Sequence, residues 1–175
     1  RPGALPEKSQ RAELRARMEE RGLGFSGIAA NLWGEKLLNT EDPAKYIQEF
    51  RRNCEFAVDL GIGGVRVDSV QPPTILRELD AATAFKRIGG TWRTCANIAA
   101  DHGLNMMWEF EPGFAFNKPS EITRVHDLVD RPNFGLMYDT CHGEMVGVQG
   151  ARQEGEKEVF ASQLEFIRFL SGRII

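Results

Sequence analysis

The chain of 175 residues is short of several things that would place it outside an ordinary globular class. It has three cysteines, Cys54, Cys95 and Cys141, far apart and without CxxC spacing. That argues against a disulfide framework or a cysteine zinc cluster, and leads us to expect reduced thiols in a cytoplasmic protein. No apolar run approaches the roughly 20 residues of a membrane span. Arg1 to Pro6 lack the apolar core of a signal peptide. Basic residues are not in excess: 22 Lys and Arg stand against 25 Asp and Glu, for a net charge of -3. An acidic balance speaks against a broad nucleic-acid footprint, which needs a basic face. Histidine is also sparse, with only His102, His126 and His142.

What is present is an alternation of helix and strand. Residues 7–21 predict a charged helix, with Leu14 and Met18 on one face. Residues 25–33 then read as a strand. Asp42-Pro43 opens a helix carrying Ile47, Phe50, Cys54 and Ala57 at helical spacing, and Gly61 stops it. Residues 64–70 alternate as a strand, with Val65 and Val67 opposing Arg66 and Asp68. A long helical region follows Pro72-Pro73 and ends at residues 101–103, with Gly89-Gly90 as a candidate break. Residues 104–111 and 134–140 predict two more strands, separated by a helix from Pro119. Residues 143–155 read as a mobile loop, residues 156–171 as a helix with Val159, Phe160, Leu164 and Ile167, and residues 173–175 as the start of a fifth strand.

Regular β-α alternation means parallel strands with helical crossovers. An open doubly wound sheet would carry central strands apolar on both faces. Here one face of each strand turns polar toward its C-terminal end, as a (β/α) TIM barrel requires. The expected fold is therefore α/β, a parallel barrel of about four to five strands. A full barrel takes about 250 residues, so residues 1–175 are expected to be one domain, incomplete at both ends. The open sheet is the alternative.

The polar ends carry the chemistry. Glu109 and Glu111 lie on one strand, Asp139 at the end of the next, and His142 follows by three residues. Carboxylates with an imidazole suit a hard or borderline divalent cation. Two acidic groups on one otherwise apolar strand are costly unless paired, hydrogen-bonded or bound to metal. Glu109, one layer deeper, reads as a salt-bridge partner for Arg66. Glu111, at the strand mouth before Pro112, reads as the ligand. A D-x-x-H spacing alone is weak, because an Asp there often caps the next turn.

The runs WEFEPGFAFNKPSEI (108–122) and PNFGLMYDTCHGEM (132–145), with LGIGGVRVDS (60–69) and EFIRFLSGRII (165–175), resemble the xylose-isomerase-like barrel superfamily of sugar isomerases and epimerases. The resemblance runs from about Phe25 to the end. It implies one divalent metal ion (Mn²⁺, Mg²⁺, Zn²⁺ or Co²⁺) held by Glu111 and Asp139, with further ligands outside residues 1–175. It implies that Glu111 and His142 serve catalysis and that His142 touches substrate or metal. The implied reaction is proton transfer next to a carbonyl through an enediolate, on a sugar or sugar-like small molecule. Trp33 would supply an apolar wall and Asn117 a substrate contact. The oligomeric state is left open, a homo-oligomer included. Two alternatives remain: the metal-dependent apurinic-site endonucleases of the same superfamily, and a non-catalytic module that binds a small ligand.

Overall fold

The computed structural model describes residues 5–175; residues 1–4, which begin the expected domain, lie outside the described residues. Four strands form one parallel sheet in sequence order: β1 (Ile28–Ala29), β2 (Gly64–Val67), β3 (Asn105–Glu109) and β4 (Phe134–Met137). Sequential order means that each crossover steps the same way to the next neighbour, as in a barrel. A doubly wound sheet would reverse direction partway. The order therefore settles the choice for a partial (β/α) barrel. Ile174 forms a parallel bridge with Leu136, so the chain end begins a fifth strand.

Alternation within the strands decides which face is covered. Val65, Val67, Met106, Trp108 and Leu136 are at most 1% exposed. They face a layer of helices, α2 (Ala44–Leu60), α3 (Ala81–Asp101) and α4 (Pro119–Val129), and α1 (Lys8–Glu19) packs against α2. Trp92 of α3 sits with its ring 5.3 Å from Trp108 and 5.9 Å from Phe134, and its Nε1 donates to the Tyr46 hydroxyl at 3.0 Å. That bond satisfies the indole inside an otherwise apolar layer. Register carries the pattern across the sheet: Val67 opposes Trp108, which opposes Leu136.

Several elements differ from their sequence expectations. The strands are shorter, and β1 keeps only two residues, because it pairs on one side alone. The helical region after Pro72 divides at residues 78–80, where Asp80 caps α3, and α3 then runs unbroken through Gly89-Gly90. Gly89 is there for packing: a Cβ would lie 2.9 Å from Leu128 Cβ of α4. The expected loop of 143–155 begins instead as α5 (Thr140–Gly147), capped by Asp139. Its glycines hid it from helix propensity. They are needed because Cβ atoms at Gly143 and Gly147 would overlap the rings of Tyr138 and Phe166. The expected helix of 156–171 contracts to α6 (Gln163–Phe169), capped by Ser162. Its buried anchors are Phe166 and Leu170, while Val159 and Leu164 are exposed.

Candidate active site

The C-terminal ends of β2, β3 and β4 bring their polar residues together. Glu109 is the last residue of β3 and is 8% exposed. Asp139 follows β4 and accepts from the His142 backbone N–H at 2.9 Å as the N-cap of α5. That bond holds the Asp139 carboxyl below the usual carboxylate range. It also fixes the first turn of α5, which aims the His142 ring inward. One ligand atom each from Glu109, Asp139 and His142 lies within 4.8 Å of the others. His142 Nδ1 is 3.4 Å from Glu109 Oε1, buried and without a hydrogen-bond partner. Buried polar atoms are rarely left so. Two carboxylates and an imidazole fit a divalent cation, and a cation there would satisfy the orphaned nitrogen.

Arg66, from the middle of β2, lies beside this cluster. Its Nε contacts Glu109 Oε2, its Nη2 donates to Glu111 Oε1 at 2.5 Å, and the same Nη2 is 3.7 Å from Asp68 Oδ2. The Arg66–Glu109 pair expected from the sequence is present, and Glu111 joins it. Of the expected metal pair, Asp139 lies in the three-residue cluster, whereas Glu111 is drawn to Arg66 and Glu109 takes the place next to His142. Burial pushes the Asp68 carboxyl up to about 6, against the lowering effect of Arg66 and with Glu111 and Glu109 adding to the rise.

The loops after the strands are tied to one another. Ser69 Oγ donates to the Ala115 carbonyl at 2.9 Å, the Ala115 N–H to the Gln71 carbonyl at 2.8 Å, and the Leu38 N–H to Gln71 Oε1 at 3.2 Å. Val70 and Phe116 within these loops hold φ of 63° and 64°. Left-handed backbone at such residues is strained and persists only where the surroundings enforce it. Sequence reasoning missed Ser69 and Gln71, since nothing local distinguishes them from turn residues.

Trp33, after β1, is 55% exposed and stands 5.1 Å from the Phe114 ring of the loop after β3. Asn117 is 3% exposed, and its Nδ2 donates to the carbonyls of Pro112 at 2.9 Å and Arg152 at 3.4 Å. Its amide is thus committed to loop structure, with little surface left for a ligand. His102 caps the C-terminus of α3 ahead of β3, and the His126 ring packs 5.7 Å from Phe134 at the start of β4. Both lie at the opposite end of the strands from the cluster. Among the described residues, no helix is long and apolar enough to cross a membrane.

Comparison with known proteins fits this geometry. A D-tagatose 3-epimerase-like protein superposes with a TM-score of 0.73 at 18% identity, covering 95% of this chain and 57% of its own. The IolI protein, in a structure with a bound zinc atom, superposes with a TM-score of 0.64 at 18% identity, covering 75% and 47%. The 2-oxo-tetronate isomerase of Pectobacterium atrosepticum is 29% identical over 129 residues, 68% of this chain and 46% of that protein. The chain thus spans about half the length of the relatives it matches. The family model of the xylose isomerase-like TIM barrel matches residues 2–169. With the sequential parallel sheet and the acidic cluster at its C-terminal ends, the chain belongs to the xylose isomerase-like TIM barrel family.

Proposed function

We propose that this chain carries part of the active site of a divalent-metal-dependent sugar isomerase or epimerase, with Glu109, Asp139 and His142 as the protein ligands that it contributes. The observation that carries this reading is the convergence of those three side chains, with His142 Nδ1 orphaned among them. The names of the relatives, a 2-oxo-tetronate isomerase and 3-epimerases, support the reaction class. When bound, the cation supplies Lewis-acid stabilisation of the negative charge that develops on a substrate oxygen.

The residues of the chain divide the remaining work. Glu111 stands at the strand mouth with Oε1 held by Arg66. Its other oxygen accepts the proton from the carbon next to the substrate carbonyl as that C–H bond breaks. The electron pair of that bond passes to the carbonyl oxygen as an enediolate; an isomerisation ends with Glu111 giving its proton to the neighbouring carbon, and an epimerisation with a second acid giving a proton to the opposite face of the same carbon. Trp33, paired with Phe114, forms an apolar wall at the mouth. A wall of this kind excludes water and leaves the substrate hydroxyls to polar partners. His102 and His126 lie at the far end of the strands and bring no imidazole to the cluster, which leaves His142 alone where a multi-zinc endonuclease centre needs several histidines.

The test is exchange of substrate hydrogen with solvent. In D₂O, with Mn²⁺ supplied, the protein should incorporate deuterium next to the carbonyl of a ketose or 2-oxo sugar acid. Glu111→Gln should lose that exchange while still binding Mn²⁺. Exchange that persists in Glu111→Gln would remove the base from the reading.

A further inference from the structure

Glu109 presents its two oxygens to different partners. Oε2 contacts Arg66 Nε, and Oε1 faces His142 Nδ1 at 3.4 Å. The second arm of the same guanidinium holds Glu111 Oε1 at 2.5 Å. Arg66 sits on β2 opposite Met107 of β3, one position below Val67 and Trp108, so its planar guanidinium reaches Glu109 at the end of β3 and Glu111 just beyond it. Its side chain is 19% exposed, and those of Glu109 and Glu111 are 10% and 20% exposed. In such partly desolvated surroundings a planar guanidinium that donates to Glu111 and ion-pairs with Glu109 fixes the two carboxylates better than a mobile ammonium would.

We propose that Arg66 is the positioning residue of the metal site. By holding Oε2 of Glu109 it leaves only Oε1 as a ligand atom, directed at Asp139 and His142. By holding Glu111 with its other arm it keeps that carboxylate out of the ligand set and at the mouth, where a base is needed. One arginine thereby assigns two chemically identical side chains, two residues apart in the sequence, to different tasks. This inference rests on the ligand set proposed above.

Partners that orient metal ligands without touching the metal change affinity by about 10–100-fold when replaced. The probe is Mn²⁺ alone, followed by calorimetry on the purified protein, with thermal unfolding measured in parallel. Arg66→Lys keeps the charge and loses the fork, and should weaken Mn²⁺ binding by about 10–100-fold. Adding Glu111→Gln to Arg66→Lys frees the single ammonium for Glu109 and should restore part of the lost affinity, a recovery that a merely structural arginine would not show. Glu111→Gln alone, with Arg66 intact, should bind Mn²⁺ as wild type does. Wild-type affinity in Arg66→Lys, absence of recovery in the double variant, or loss of binding in Glu111→Gln would each overturn the assignment of Arg66. Absence of Mn²⁺ binding by the wild type would instead overturn the ligand set itself, and this inference with it.

Discussion

Glu109, Glu111 and Asp68 share the guanidinium of Arg66. Asp68 is 6% exposed and its carboxyl is pushed up to about 6, from an ordinary value of 3.8. Between those values the folded protein keeps a proton that the unfolded chain has released. Stability from this group therefore falls as the pH rises from about 4 to about 6 and stays lower above. Asp68→Asn, whose amide oxygen can still accept from the Val70 N–H, should stabilise the protein by about 1–3 kcal/mol at pH 7 and change little at pH 4. Urea unfolding at the two pH values checks this. In the sequence the D-x-x-H spacing of Asp139 and His142 is weak alone, because an Asp there often only caps a turn; in the structure Asp139 does cap α5, and it also lies beside the His142 ring. The sequence ranks Glu111 as the ligand and Glu109 as the partner of Arg66, whereas in the structure Glu109 stands beside His142 and Arg66 holds both. Period-two alternation puts both on one face, and which one meets β4 depends on the pairing of Glu109 with Met137.

Packing between elements decided what local propensity could not. Gly89 and Gly90 look equivalent as a chain-breaking pair, yet only Gly89 lies against α4. Gly90→Ala has open space around it and should stabilise the protein by about 0.5–1 kcal/mol, as expected in a helix interior. Gly89→Ala should destabilise it, because its methyl would meet Leu128. Gly147→Ala should be worse, since its methyl would overlap the Phe166 ring, with an overpacking cost of about 1–3 kcal/mol. Thermal unfolding of the three variants gives the order directly. The strands, α1, α2 and α4 were legible because their patterns agree with their environment. The stretch after β4 was not: α5 is rich in glycine for a tertiary reason, and the apolar residues Val159 and Leu164 are exposed in the structure.

Over the whole molecule, a sheet wound in one direction places the C-terminal ends of β2, β3 and β4 side by side. The short polar faces of those strands thus converge without any long-range sequence signal. Four carboxylates, Asp68, Glu109, Glu111 and Asp139, gather near the guanidinium of Arg66 and the imidazole of His142. Such an excess of negative charge in a half-buried setting favours a bound cation. Mn²⁺ calorimetry on the wild type, Glu109→Gln and Asp139→Asn tests that claim most directly. The account predicts one site in the wild type that is lost or strongly weakened in both variants. A wild type that binds no Mn²⁺, or a Glu109→Gln protein that binds it unchanged, would contradict it.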